Sequence, residues 1–121
     1  MSVLHDFFFC LLDPAVTTCL LQIDVRDAAL AHVRALTTSG AANKRFLVGS
    51  AHYSSTFVVD TLRSLSEVVH RLPTEPADEE IRTIKLDTSQ LDQVFGIKYR
   101  SAEETFHDTA RRLLEIEKLL S

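Results

Sequence analysis

Asp24, Arg26 and Asp27 form the densest polar constellation in the sequence, and acidic and basic side chains this close can hold a polar substrate or move a proton. His52-Tyr53 is a second pair able to handle protons. Tyr99 can donate a hydrogen bond, and Arg100 beside it can clamp a carboxylate. His32 falls on or beside an apolar helix face, and an imidazole near a hydrophobic cavity is usable for acid–base work near neutrality. A satisfied core or interface histidine is the competing reading. Metal chemistry is not expected. Glu67-x-x-His70 occurs once, whereas a carboxylate-bridged dimetal site needs the motif twice, and Glu103 with His107 lacks a visible third ligand. Cys10 and Cys19 make neither a zinc motif nor a disulfide framework, and read as inert thiols.

The chain of 121 residues suits one domain, 25% charged and 45% hydrophobic. A net charge of −4 gives no general attraction for phosphate backbones, so no nucleic-acid partner is expected. The three glycines, Gly40, Gly49 and Gly96, are too scattered for a phosphate-cradling loop. The apolar run at residues 7–12 is bracketed by Asp6 and Asp13 with no basic residue before it, unlike a secretory signal. No run reaches the roughly 18 apolar residues of a membrane span. A cytoplasmic protein with no membrane partner is the expectation.

The elements that must position these residues follow from pattern. Residues 2–12 read as a helix and 15–19 as loop. Residues 20–25 read as a short strand, and 28–36 as a helix with Val25, Ala29, Val33 and Leu36 on one face and Asp27 at its start. Residues 45–49 are a strand-type run expected to be buried on both faces. Ser54 or Ser55 can cap a helix running to about Leu72, stopped by Pro73. Residues 73–80 read as a solvated loop and 81–86 as a strand. Ser89 can cap a short helix closed by Gly96. Ser101 with Glu104 has the capping-box spacing at the head of a final helix through Phe106, Ala110, Leu113 and Leu114. Alternation of strand and helix predicts an α/β fold.

Three stretches in order and register resemble a known family. Ile23-Asp24-Val25-Arg26-Asp27-Ala28-Ala29-Leu30-Ala31-His32-Val33 is similar to its V-D-V-R-D-V-A-x-A-H segment, and Asn43-Lys44-Arg45-Phe46-Leu47-Val48-Gly49 to its G-K-R-F-L strand. Gly96-Ile97-Lys98-Tyr99-Arg100-Ser101, with Glu103-Glu104-Thr105 and Asp108-Thr109, is similar to G-x-x-Y-R-S-x-E-E-T-x-x-D-T. Over residues 20–120 the chain resembles the C-terminal, substrate-side part of the extended short-chain dehydrogenases/reductases, in their dihydroflavonol-reductase-like and fungal aldehyde/ketone-reductase-like branches. Residues 1–19 depart from that resemblance, and their Phe7-Phe8-Phe9 run could replace lost packing or be an ordinary helix of the lobe.

The resemblance implies a truncated Rossmann-related α/β domain, with 20–121 as a single substrate lobe. Those enzymes bind NAD(P) through a Gly-rich turn and reduce a carbonyl with a Tyr-x-x-x-Lys pair. Here Tyr53 is followed by Phe57 and Tyr99 by Glu103, so no cofactor and no oxidoreductase activity are expected of these residues. In the family the segment like 45–49 lies at the edge of the large sheet. Deprived of that body, such a strand and an Ala-rich helix call for self-association, and a homodimer is expected to complete the fold. The resemblance also turns the loop after Gly49 toward the substrate cleft. His52, Tyr53 and Tyr99 are therefore the candidate catalytic residues, with Phe57, Arg100, Asp24 and Arg26 as substrate contacts. The competing readings are structural roles for the 23–27 segment and Tyr99-Arg100, and a surface or packing role for His52-Tyr53. The function expected is binding of a small hydrophobic molecule, with isomerase, cyclase or lyase chemistry as its catalytic form. The alternatives are a non-catalytic interaction module pairing with itself or an intact reductase, or a gene fragment.

Overall fold

A computed structural model describes residues 21–75 and 85–121. The helix expected at 2–12, Cys10, Cys19 and most of the strand expected at 81–86 lie outside them. The chain divides into two compact units, the first holding residues 21–52 and 85–100, the second 53–75 and 101–121.

In the first unit, β1 (Leu21–Gln22) pairs antiparallel with β2 (Ala51–His52), Leu21 opposite His52 and Gln22 opposite Ala51. The strand expected over 20–25 is this short because Asp24 already caps α1 (Val25–Thr37), its carboxylate accepting from the Arg26 N–H at 2.9 Å. The helix therefore starts three residues before the expected 28. Asp27 lies within its first turn, 1% exposed. The face of Val25, Ala29, Val33 and Leu36 is the outer one: Val25, Val33 and Leu36 are exposed, Leu36 to 88%, while Asp27 and Ala31 are buried. A helix apolar on two sides leaves the choice of inner face to its neighbours.

Asn43, at φ 59°, turns the chain into residues 44–50. This run forms no ladder with any described residue, although a strand is expected at 45–49. From Arg45 to Val48 its burial nonetheless alternates. Phe46 and Val48 pack on the core of Ala31, Ala41, Leu91, Phe95 and Ile97, whereas Leu47 is 52% exposed. Gly49, on the side of Leu47, is buried as well, so the expectation of burial on both faces fails at Arg45 and Leu47.

α2 (Ser89–Phe95) is capped by Thr88 rather than Ser89, and the Ser89 N–H donates to Asp87 at 3.0 Å instead. Hydrogen bonds from the Ser89 side chain and backbone hold the exposed Asp87 carboxyl below its usual range. Gly96 closes α2 at φ +57°, in the left-handed region, with its N–H donating to Asp92 O at 2.9 Å. No atom crowds a Cβ there, so the cost of a side chain is purely conformational. Gly96→Ala is expected to cost the first unit about 1 kcal/mol in urea unfolding.

In the second unit, α3 (Ser55–Leu62) is capped by Ser54, whose hydroxyl accepts from the Phe57 N–H at 3.0 Å. It ends ten residues before the expected Leu72. The Ser64 hydroxyl donates to Thr61 O at 3.0 Å, Leu65 N–H donates to Leu62 O at 3.0 Å, and the chain tightens into turns and one 3₁₀ turn at Val69–Arg71. α4 (Ala102–Leu120) starts at the expected Ser101 cap, which accepts from the Glu104 N–H at 3.2 Å. Val58, Val59, Leu62, Leu65, Val68, Phe106 and Ala110 form the core between α3, the turns and α4.

Candidate functional site

The polar constellation at the head of α1 is bound up in itself. Arg26 Nε donates to Asp24 Oδ1 at 2.9 Å and Nη2 to Oδ2 at 2.7 Å, a bidentate pair that shares the capping carboxylate. Asp27 receives the Arg100 N–H at 2.8 Å and also the Arg100 guanidinium, tying α1 to the segment before α4 across 73 residues of sequence. Asp24, Arg26 and Arg100, named as substrate contacts, thus each hold a partner from the chain itself.

Tyr99 packs against the first unit's core with its hydroxyl buried and without a hydrogen-bond partner among the described residues. Burial, followed by the negative fields of Asp92 and Asp27, raises its pKa. A tyrosine whose folded value exceeds its unfolded one stabilises the fold fully below about pH 10, and that contribution is lost as pH rises through the folded value. An alkaline titration of phenolate absorbance is expected to show a late step that Tyr99→Phe removes. That variant should match wild type in stability at neutral pH, since no hydrogen bond is lost.

The other candidates fall into separate units. His52 lies in β2 of the first unit. Tyr53 and Phe57 lie in the second, their rings stacked at 4.9 Å, with Phe106 edge-on to Tyr53 at 5.5 Å.

Two arrangements escaped sequence reasoning. In the second unit, His107 Nε2 lies 3.0 Å from Ser64 Oγ and 2.9 Å from Thr61 O. A carbonyl only accepts, so Nε2 carries the hydrogen, and this nitrogen cannot serve as the base for Ser64. Through Thr61 O the histidine joins α4 to α3, and the His107–Ser64 pair is not a nucleophile site. In the first unit, Ala31, His32 and Ala35 of α1 with Phe46, Val48 and Phe95 line an open hollow of about 180 Å³. The Phe46 and Phe95 rings are 4.5 Å apart, and the Arg34 guanidinium donates to Phe95 O, bracing α1 against the end of α2. His32 Nδ1 lies 2.7 Å from Ala28 O and so donates to it, which leaves Nε2 of the neutral ring as an acceptor. The signal in sequence was only an apolar run beside an Ala-rich helix, which reads as plain core.

Among the described residues, no group of three or more His, Cys, Asp or Glu is placed to hold a metal, and no helix is long and apolar enough to cross a membrane. A dinucleotide pyrophosphate needs glycine-opened backbone at a helix N-terminus. The four described helices start at Asp24, Thr88, Ser54 and Ser101, none of them a glycine, and in three the cap side chain takes one N–H of the first turn. The residues described do not fit that group.

No protein-family model matches the chain. It is 36% identical over 95 residues to an uncharacterised oxidoreductase of Schizosaccharomyces pombe, covering 77% of this chain and 28% of that one. It is 30% identical over 100 residues to the NADPH-dependent methylglyoxal reductase of Saccharomyces cerevisiae, covering 78% and 29%. The chain therefore spans less than a third of the length of these curated relatives. Among solved structures, it superposes on the NADPH complex of Candida albicans Gre2 with a TM-score of 0.68 at 22% identity, covering 94% of this chain and 36% of that one. The NADPH complex of the yeast methylglyoxal/isovaleraldehyde reductase Gre2 gives 0.67 at 24% identity, covering 95% and 40%. These likenesses carry the fold. The chain is a relative of the extended short-chain dehydrogenases/reductases and corresponds to a C-terminal, substrate-side piece of them.

Proposed function

We propose that this chain holds a small, apolar, oxygen-bearing molecule in the hollow of its first unit, and that these 121 residues do not transfer hydride by themselves. The observation that carries the reading is the apolar hollow with a single polar side chain, His32, among its lining residues. At about 180 Å³ it lies below the ~300–1,000 Å³ of sites for drug-sized molecules, so its ligand has few atoms. The names given to one relative, yeast Gre2, a reductase of methylglyoxal and isovaleraldehyde, support a small carbonyl compound or its alcohol. Chemistry chooses between the two: a neutral His32 accepts from a hydroxyl but has nothing to donate to a carbonyl.

Cofactor-independent isomerisation, cyclisation or elimination is the catalytic form of this reading, and of the residues lining the hollow His32, rather than His52, Tyr53 or Tyr99, is the one able to handle a proton. The same reading takes the chain as one of two identical copies, since exposed apolar residues such as Leu36 and Leu47 favour association over solvent.

Backbone amide NMR titrations with isoamyl alcohol and with isovaleraldehyde test the ligand. The alcohol is expected to shift Ala31, Ala35, Phe46 and Val48 at lower concentration than the aldehyde. His32→Phe should abolish the preference while keeping the hollow apolar. Equal response to both compounds in the wild type, or shifts elsewhere only, would contradict the reading.

A further inference from the structure

The two sides of the hollow differ in how far they can change. On one side Phe95 belongs to the first unit's core, its ring 4.5 Å from that of Phe46, and Arg34 donates to its carbonyl. That side is fixed. The other is one face of α1, where Ala31, His32 and Ala35 stand three and four residues apart. Ala31 is 3% exposed and part of the core, so a larger side chain there strains the packing before it reshapes the hollow. Ala35 also lines the hollow, yet it is exposed and carries a single methyl group.

We infer that Ala35 is the residue that sets the size of ligand this hollow accepts, with a limit of about six carbons. The inference rests on the ligand reading proposed above and gives that ligand a length. A dry apolar cavity of about 150 Å³ takes a six-carbon ring, and this hollow measures about 180 Å³. His32 is the single polar side chain among the lining residues, so a hydroxyl goes to it and the carbon chain lies along the apolar remainder. Each carbon taken out of water strengthens binding up to about fourfold. Carbons beyond the limit stay in solvent, because the hollow is open, and add nothing. Ala35→Leu brings about three more carbons into the same space, so the limit drops to about three.

Amide NMR titrations of the full chain with n-propanol, n-hexanol and n-octanol test this, read at Phe46, Val48 and Phe95, away from the substituted residue. In the wild type, affinity is expected to rise from n-propanol to n-hexanol and to level off at n-octanol. Ala35→Leu should weaken n-hexanol about tenfold or more and leave n-propanol within about twofold. Ala29→Leu makes the same change on the outer face of α1 and should leave all three alcohols at wild-type affinity. Leucine is nearly as good a helix former as alanine, so α1 is kept. Should circular dichroism show that Ala35→Leu does not fold, Ala35→Val is expected to weaken n-hexanol in the same sense by a smaller factor. An affinity that keeps rising through n-octanol, an n-hexanol affinity unchanged at Ala35→Leu, or equal losses for n-propanol and n-hexanol would overturn the role of Ala35 and leave the ligand reading standing. A wild type in which no alcohol shifts these residues overturns both.

Discussion

Arg100→Met is expected to destabilise the first unit by about 3 kcal/mol, read from urea unfolding followed through amide signals of α1 and α2. The Asp27 side chain is almost wholly buried, and both its oxygens receive donors from Arg100. Removing the guanidinium leaves the backbone N–H against a carboxylate that water barely reaches, which is the costly way to break a buried pair. Arg100 itself keeps about a third of its side chain in solvent, which holds the effect at the lower end of the range for buried pairs. The cost should fall when the stranded charge is also removed: Asp27→Leu added to Arg100→Met is expected to recover more than half of it. A loss under about 1 kcal/mol in the single variant would mean that Asp27 finds other donors and that the pair does not hold α1 to the segment before α4.

The second large effect belongs to the other unit. Leu62→Ala is expected to cost about 3 kcal/mol, because Leu62 is 0% exposed in the core with Val58, Val59, Leu65, Val68 and Phe106, and truncation removes buried methyl groups and opens a cavity there. Leu119, 80% exposed on the last turn of α4, is the control, and its alanine variant should stay within about 0.5 kcal/mol of wild type. Amide signals from α3 and α4 report the second unit separately. Equal effects at Leu62 and Leu119 would mean that the α3–α4 core is not the stabilising contact of this unit.

Local chemistry made some elements legible in advance. Ser101 with Glu104 announces the start of α4, and Gly96 the end of α2, because a cap needs only its own turn. What depended on distant neighbours was less visible. The apolar stripe of Val25, Ala29, Val33 and Leu36 is real, but the inner face of α1 is set by Asp27 meeting Arg100 and by Ala31 meeting the core of Leu91 and Phe95. The period expected to run to Leu72 continues past the end of α3 because Leu65 and Val68 sit in tight turns that keep nearly the same spacing and still reach the core. The 45–49 run has the composition of a strand, yet composition supplies no ladder partner. In the candidate site, polar residues drew attention, and Asp24, Arg26 and Arg100 are engaged in holding the fold. The hollow is built from alanine, valine and phenylalanine, which carry no signature until folding sets them around His32.

The central claim is that this piece of a reductase family holds a small oxygen-bearing molecule by itself, without a nicotinamide cofactor. Amide spectra of the same sample, titrated first with isoamyl alcohol and separately with NADPH, test it most directly. The account predicts saturable shifts confined to Ala31, His32, Ala35, Phe46, Val48 and Phe95 with the alcohol, and no saturable shifts with NADPH. Saturable shifts with NADPH, or none with the alcohol, would contradict it.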